Sequence, residues 1–249
     1  YNIVLAAATS SDSNYNGVNP DDVSVTNSDN DTKGITVSAI SGATTEAAGT
    51  ATFTVVLTSE PTSDVTVGVS SSDTGEGAVN TASLVFTDSN WASAQTVTVS
   101  GVNDDIDDGN QAYNIVLAAA TSSDSNYNGV NPDDVSVSNT DNNTAGFTVS
   151  AISGATTEAA GTATFTVVLT SEPTSDVTIG VSSSDTGEGT VSTASLVFTA
   201  GNWNTPQTVT VTGVNDDVDD GNQAYNIVLA AATSSDSNYN GVNPDDVSV

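Results

Sequence analysis

The 249 residues contain no cysteine, histidine, methionine or arginine, and Lys33 is the only lysine. Without cysteine there are no disulfides, so stability has to come from a core, from bound metal, or from both. Without histidine or cysteine the chain lacks the usual general base, the thiolate nucleophile and the soft ligands that zinc and copper prefer. No catalytic apparatus is visible, and the chain is not expected to be an enzyme. Against one basic residue stand 31 acidic ones, a net charge of −30. Such a surface repels nucleic-acid phosphates and anionic membranes and attracts cations. No run of 18 apolar residues exists, so no membrane insertion is expected.

What the sequence does have is repetition. YNIVLAAATSSDSNYNGVNPDDVSV starts at Tyr1 and recurs letter for letter at Tyr113 and at Tyr225, with equal spacing between the copies. A fixed period marks a tandem array, and this one is long enough for each unit to bury its own core. The division expected is 1–33 as the last two strands and linker of a preceding repeat, 34–145 as a complete repeat with its linker, and 146–249 as a second repeat without one. The 249 residues read as a window on a longer array. The two repeats differ at eleven positions, among them Ile35/Phe147, Val67/Ile179, Ala94/Pro206 and Ile106/Val218. Core changes keep apolar character, and no aspartate of the acidic loop changes.

Strong acidity can accompany disorder, but here apolar and polar residues alternate over many segments. In 49–59, Ala51, Phe53, Val55 and Leu57 point one way and Thr50, Thr52 and Thr54 the other, the period of a half-buried strand. Similar signals fall at 35–40, around Val65–Val69, at Leu84 and Phe86, at 95–102, from Tyr113 to Leu117 and at 134–138. Residues 70–77 read as a loop. About seven short strands with turn residues between them and no helical period predict an all-β fold, a series of immunoglobulin-like antiparallel β-sandwiches.

The densest chemistry is Asn103-Asp104-Asp105-Ile106-Asp107-Asp108-Gly109-Asn110, four carboxylates in five positions, matched by Asp216, Asp217, Asp219 and Asp220. Like charges this close cost free energy unless a cation screens them, and an oxygen-only donor set suits a hard cation such as Ca2+. In an antiparallel sandwich the loops after the first, third and fifth strands share one end with the finish of the seventh. That brings Glu46, then Asp73 and Glu76, then the acidic loop, then Asn139, Asp141 and Asn142 to one pole. The candidate metal residues are Glu46, Asp73, Asp104, Asp105, Asp107 and Asp141, with Glu158, Asp185, Asp216, Asp217 and Asp219 in the second repeat and Asp29 in the first linker. The site of Glu158, Asp216 and Asp217 is expected to be less complete than that of Glu46, Asp104 and Asp105. At the opposite pole Asp88, Asp124, Asp133 and Asp134 are expected to be solvated; a metal bridge from them to Asp29 or Asp31 is the alternative.

Three stretches, TTEAAGTATFTVVL (44–57), NWASAQTVTVSGVNDD (90–105) and DDGNQAYNIVL (107–117), occur in an order that resembles the Calx-beta family and the immunoglobulin-like extender repeats of giant bacterial surface adhesins. The resemblance spans the whole repeat. It implies calcium binding at the pole identified above, with Glu46, Asp73, Asp104, Asp105 and Asp141 as ligands by motif position. Asn110 and Gln111 stand where the family usually has further acids, which leaves the number of ions per repeat open.

Other signals have plainer readings. Lys33 is a surface lysine whose counterpart is Ala145. Trp91 and Trp203 each precede an alternating strand and are expected to pack. Outward threonines suit any β-sheet face, so ice or carbohydrate binding is not demanded. Asn30-Asp31-Thr32 and Asn142-Asn143-Thr144 match the N-glycosylation sequon. The function expected is an extracellular structural array at a bacterial cell surface: calcium-stiffened repeats that act as the stalk of an adhesin. The alternative is that like chains form a filament or surface-layer polymer. The partners expected are the adjacent repeats, or like chains.

Overall fold

Every segment with strict polar–apolar alternation forms a strand in the computed structural model, which describes residues 1–249. Residues 1–25 form only a two-strand ladder, β1 (Asn2–Ile3) against β2 (Val23–Ser24), with its apolar residues exposed. The first repeat then runs β3 (Ile35–Val37), β4 (Thr44–Thr45), β5 (Thr50–Leu57), β6 (Val65–Ser71), β7 (Gly77–Val79), β8 (Ser83–Phe86), β9 (Gln95–Gly101), β10 (Gln111–Leu117), β11 (Thr121–Ser122) and β12 (Val135–Thr140). The second follows with β13 (Phe147–Val149), β14 (Thr162–Leu169), β15 (Val177–Ser183), β16 (Gly189–Val191), β17 (Ser195–Phe198), β18 (Gln207–Gly213), β19 (Asn226–Leu229) and β20 (Val247–Ser248).

One sheet of the first repeat is ordered β3-β5-β9-β7; the other is β11-β6-β10-β12-β4, with β8 also on β6. All pairings are antiparallel except β4 with β12, where Asn139 and Thr140 run parallel to Thr44 and Thr45. The second repeat repeats both sheets as β13-β14-β18-β16 and β17-β15-β19-β20. The expected fourth strand, at Leu84 and Phe86, forms, and a further short strand precedes it in the other sheet. Gly77–Val79, in part read as loop, pairs with β9, while the Leu84–Phe86 strand pairs with β6.

Between the sheets lies a core of 17 buried residues in the first repeat and 16 in the second. Phe53, Val55, Leu57, Val97 and Val99 meet Val65, Val67, Leu84, Phe86 and Ile115, all nearly inaccessible. Burying each such side chain contributes about 1.5–3 kcal/mol. Trp91 and Trp203 pack against these cores as expected. On the outer face Thr52↔Thr98 and Thr54↔Thr96 lie opposite each other across β5 and β9.

Candidate metal centre

The acidic pole is built by four segments. The stretch after β6 makes an Asx turn in which Asp73 Oδ1 accepts the Gly75 N–H at 2.9 Å. It then enters β7, which sets Glu76 beside the end of β9. Residues 102–110 cross from β9 to β10, with Asp104 Oδ1 accepting the Ile106 N–H at 2.8 Å and Gly109 at φ 73°, a conformation natural to glycine. The turn after β4 carries Glu46 inward, and only 4% of its surface is exposed. Beyond β12, Asp141 accepts the Gly109 N–H at 2.7 Å and the Asn143 N–H at 2.6 Å.

Asn139 ties these segments together. Buried at the end of β12, its amide donates to the Val102 carbonyl at 2.9 Å and to Glu76 Oε2 at 3.3 Å, while its Oδ1 accepts from the Thr44 hydroxyl at 3.0 Å. Gly101 makes room for it: a Cβ there would overlap Thr45 O and Asn139 Oδ1. The Tyr113 hydroxyl, 3.0 Å from Thr44 Oγ1, lies over Gly77 in the same way.

The carboxylates that meet are Glu76, Asp104 and Asp108, each offering one oxygen within 4.8 Å of the others; Glu188, Asp216 and Asp220 repeat the group. Burial pushes the Glu76 carboxyl above its ordinary range, and Asp108, Asp104 and Asp73 push it further, while the Asn139 amide works against them. Glu46 is raised by burial and then by Asp141, Asp104 and Asp108, against the Asn142 N–H it accepts at 3.1 Å. Asp108 presents its surface to solvent, yet its carboxyl is raised by desolvation and by Asp104 and Asp141. Glu188 is raised by desolvation and by Asp220, Asp216, Asp185 and Glu158. No protein cation offsets this: Lys33, the only basic side chain, acts on Asp124 at the other pole. Crowded oxygen donors without a counter-charge fit a hard divalent cation.

The expected residues divide. Asp104 and Asp141 act on Glu46, and Asp73 and Asp104 act on Glu76; in the second repeat Asp185, Asp216 and Glu158 act on Glu188. Asp105 and Asp107 are not among the gathered oxygens. The Asp105 carbonyl accepts the Glu172 N–H at 2.6 Å, and Asp107 Oδ2 accepts the Ala145 N–H at 2.8 Å, so both serve the junction with the next repeat. Asp217 and Asp219 likewise stand outside the second group, with Asp217 Oδ1 accepting from the Asn215 amide at 2.8 Å. Asp29, exposed in the first linker, accepts the Asp31 N–H at 3.0 Å. Asp108 and Asp220 were legible only as members of the loop. What singles them out is position: on either side of the apolar residue, the first and last aspartates of each loop face back to their own repeat. Glu76 and Glu188 owe their place to β7 and β16, strands too short to show a period.

The second pole is more open than the first. Glu158 is exposed where Glu46 is buried, and a cleft of about 610 Å³ lies between Glu158, Glu188, Tyr225 and Val249. At the opposite pole Asp124 is not solvated but buried, accepting the Thr62 and Asn126 N–H groups at 2.8 Å each, and its carboxyl lies below the ordinary range because of them. Asp236 repeats these contacts.

Two consecutive β-sandwiches, each with an acidic pole at the end where the chain leaves, define a tandem array of immunoglobulin-like modules. The Calx-beta domain family matches residues 28–143 and again 138–249, and the chain belongs to that family. Among solved structures, the calcium-binding domain CBD12 of CALX1.1 shares 14% identity at a TM-score of 0.35, covering 82% of this chain and 79% of that one. CBD12 from CALX1.2 gives 14% identity and 0.33 over 79% of each chain. Domains 4–9 of the surface layer protein SbsC give 18% and 0.29 over 92% of this chain and 32% of that one. No curated protein matches the sequence.

Proposed function

We propose that these repeats are calcium-binding structural modules, outside the cell, that form the stalk of a large bacterial surface protein. The observation that carries the reading is the threefold carboxylate group Glu76, Asp104 and Asp108, present again as Glu188, Asp216 and Asp220, at the pole of each repeat. Glu46, Asp73 and Asp141 surround the first group, and Asn139 orients Glu76. A bound ion supplies the positive charge the pole lacks and draws four segments of one sandwich together. Binding only the folded form, it stabilises by mass action. Nothing at the pole supports catalysis, and the function proposed is mechanical. Calcium is expected to raise the melting temperature and the bending stiffness of the array; EDTA that changed neither would refute the reading.

A second reading, lateral assembly into a filament or surface layer, has its own observation. Each sandwich carries a groove on the same edge, lined by Ile35, Val37, Ile40 and Val135 in the first repeat and by Phe147, Val149, Ile152 and Val247 in the second, about 340 and 380 Å³ in volume. Electron microscopy separates the two: single threads one domain wide support the stalk, and ordered bundles support the polymer.

A further inference from the structure

The acidic loop has two sides with different partners. Asp104 and Asp108 turn to their own repeat, while the three residues between them turn to the next. Ile106 forms a parallel bridge with Glu172, the Asp105 carbonyl takes the Glu172 N–H, the Asp107 carbonyl takes the Asn238 side-chain amide, and Asp107 Oδ2 takes the Ala145 N–H of the linker. The linker is also held from the other side, where the Thr170 hydroxyl donates to the Thr144 carbonyl at 2.6 Å. We propose that the Asp105–Asp107 turn is a docking clasp that fixes the angle between consecutive repeats without metal, received by Glu172 and Asn238 of the following repeat and by Ala145.

The chain contains its own comparison. The second copy of the turn, Asp217–Asp219, touches no further repeat. There Val218 is 56% exposed, Asp217 takes a φ of 63°, and no bridge forms, whereas Ile106 is half-buried. Yet Glu188, Asp216 and Asp220 gather just as their counterparts do. Gathering the carboxylates therefore does not require docking; the shape of the turn follows the docking. The receiving end shows the same contrast. Glu172 is half-buried and Ser171 fully buried, while Glu60, with no turn seated on it, is exposed and Ser59 only half-buried. Every contact of the clasp is a backbone or amide hydrogen bond or the burial of Ile106, and a carboxylate enters only as the acceptor from Ala145. Removing a cation from Asp104 and Asp108 takes away none of them. Because the two sides share one short turn, order on one side lowers the conformational cost of order on the other, and the coupling is reciprocal.

The test uses the absence of cysteine, which lets two be introduced cleanly. With Ser83→Cys and Ser195→Cys, both on exposed strand positions, spin labels report the distance between repeats in EDTA. The parent is expected to give one narrow distance. Asn238→Ala, which removes the amide and leaves the backbone intact, is expected to lose it to a broad distribution at an unchanged melting temperature. Asn126→Ala, the same position in the first repeat and remote from the junction, is expected to keep it. A parent already broad in EDTA, an Asn238→Ala variant as narrow as the parent, or an Asn126→Ala variant as broad as Asn238→Ala each overturns the clasp. A calcium titration of the same protein reads the metal site separately, so either idea can fail alone.

Discussion

Single residues decide the chemistry of the pole. Asp108 lies with Glu76 and Asp104 among the gathered oxygens and is itself raised by its surroundings. Asp108→Asn should therefore weaken calcium binding while relieving repulsion, so that the variant melts higher than the parent in EDTA and gains less from calcium. Thermal denaturation with and without calcium checks both halves. Asn139 acts one step away: Asn139→Ala leaves Glu76 without its orienting amide, and a loss of about 10–100-fold in calcium affinity is expected for such a partner. The sign of the pH dependence follows from the raised carboxyls. Between the ordinary carboxyl value and the raised folded one, the native state holds protons that the unfolded chain has released, so stability falls as pH rises through that window. Asp124, held low by its N–H donors, has the opposite sign, and its contribution is lost as pH falls through its folded value. Denaturation followed from about pH 4 to pH 8 in EDTA should show stability declining with pH, and saturating calcium should remove the decline. Which aspartates gather was only partly legible in the sequence. DDIDD marks a charged loop, but which of its aspartates meet Glu76 depends on where β7 and the crossing from β9 to β10 set them, and those partners are distant in sequence.

At the scale of elements, the strands with an alternating period were legible, β3 and β8 among them, and the shortest pieces β4, β7 and β11 were not. The strands at 50–57, 95–101 and 111–117 have apolar residues at every second position, and that period is visible in any sequence. β4, β7 and β11 have two or three residues each, too few for a period, and exist because a long neighbour offers unpaired backbone groups. These short pieces build the site: β4 and the end of β12 run parallel beside Gly101, and no side chain larger than hydrogen fits there. Gly101→Ala should cost about 1–3 kcal/mol through forced displacement and weaken calcium binding, because Thr45 and Asn139 have to shift. At the other end of the sandwich, the buried Tyr127 hydroxyl donates to the Ser59 carbonyl at 2.7 Å and accepts the Ser59 N–H at 3.1 Å. Tyr127→Phe leaves both groups unpaired and should cost about 1–3 kcal/mol, measurable by urea denaturation, with calcium affinity unchanged because the change is at the far pole.

For the whole molecule, the equal spacing of Tyr1, Tyr113 and Tyr225 set the architecture before any strand was placed. Near-identity of the repeats means that one pole, one core and one junction are repeated along the array. A net charge of −30 with one basic residue means that this protein cannot neutralise its own poles. Cations from solution are proposed to do so, at the carboxylates gathered in each repeat. The most direct measurement is a calorimetric calcium titration of the chain beside a variant carrying Asp108→Asn and Asp220→Asn, one change in each repeat. The parent is expected to bind calcium and the variant to lose most of that binding while keeping its β-sheet circular dichroism; no binding by the parent, or equal affinity in the two, would mean that these carboxylates hold no calcium.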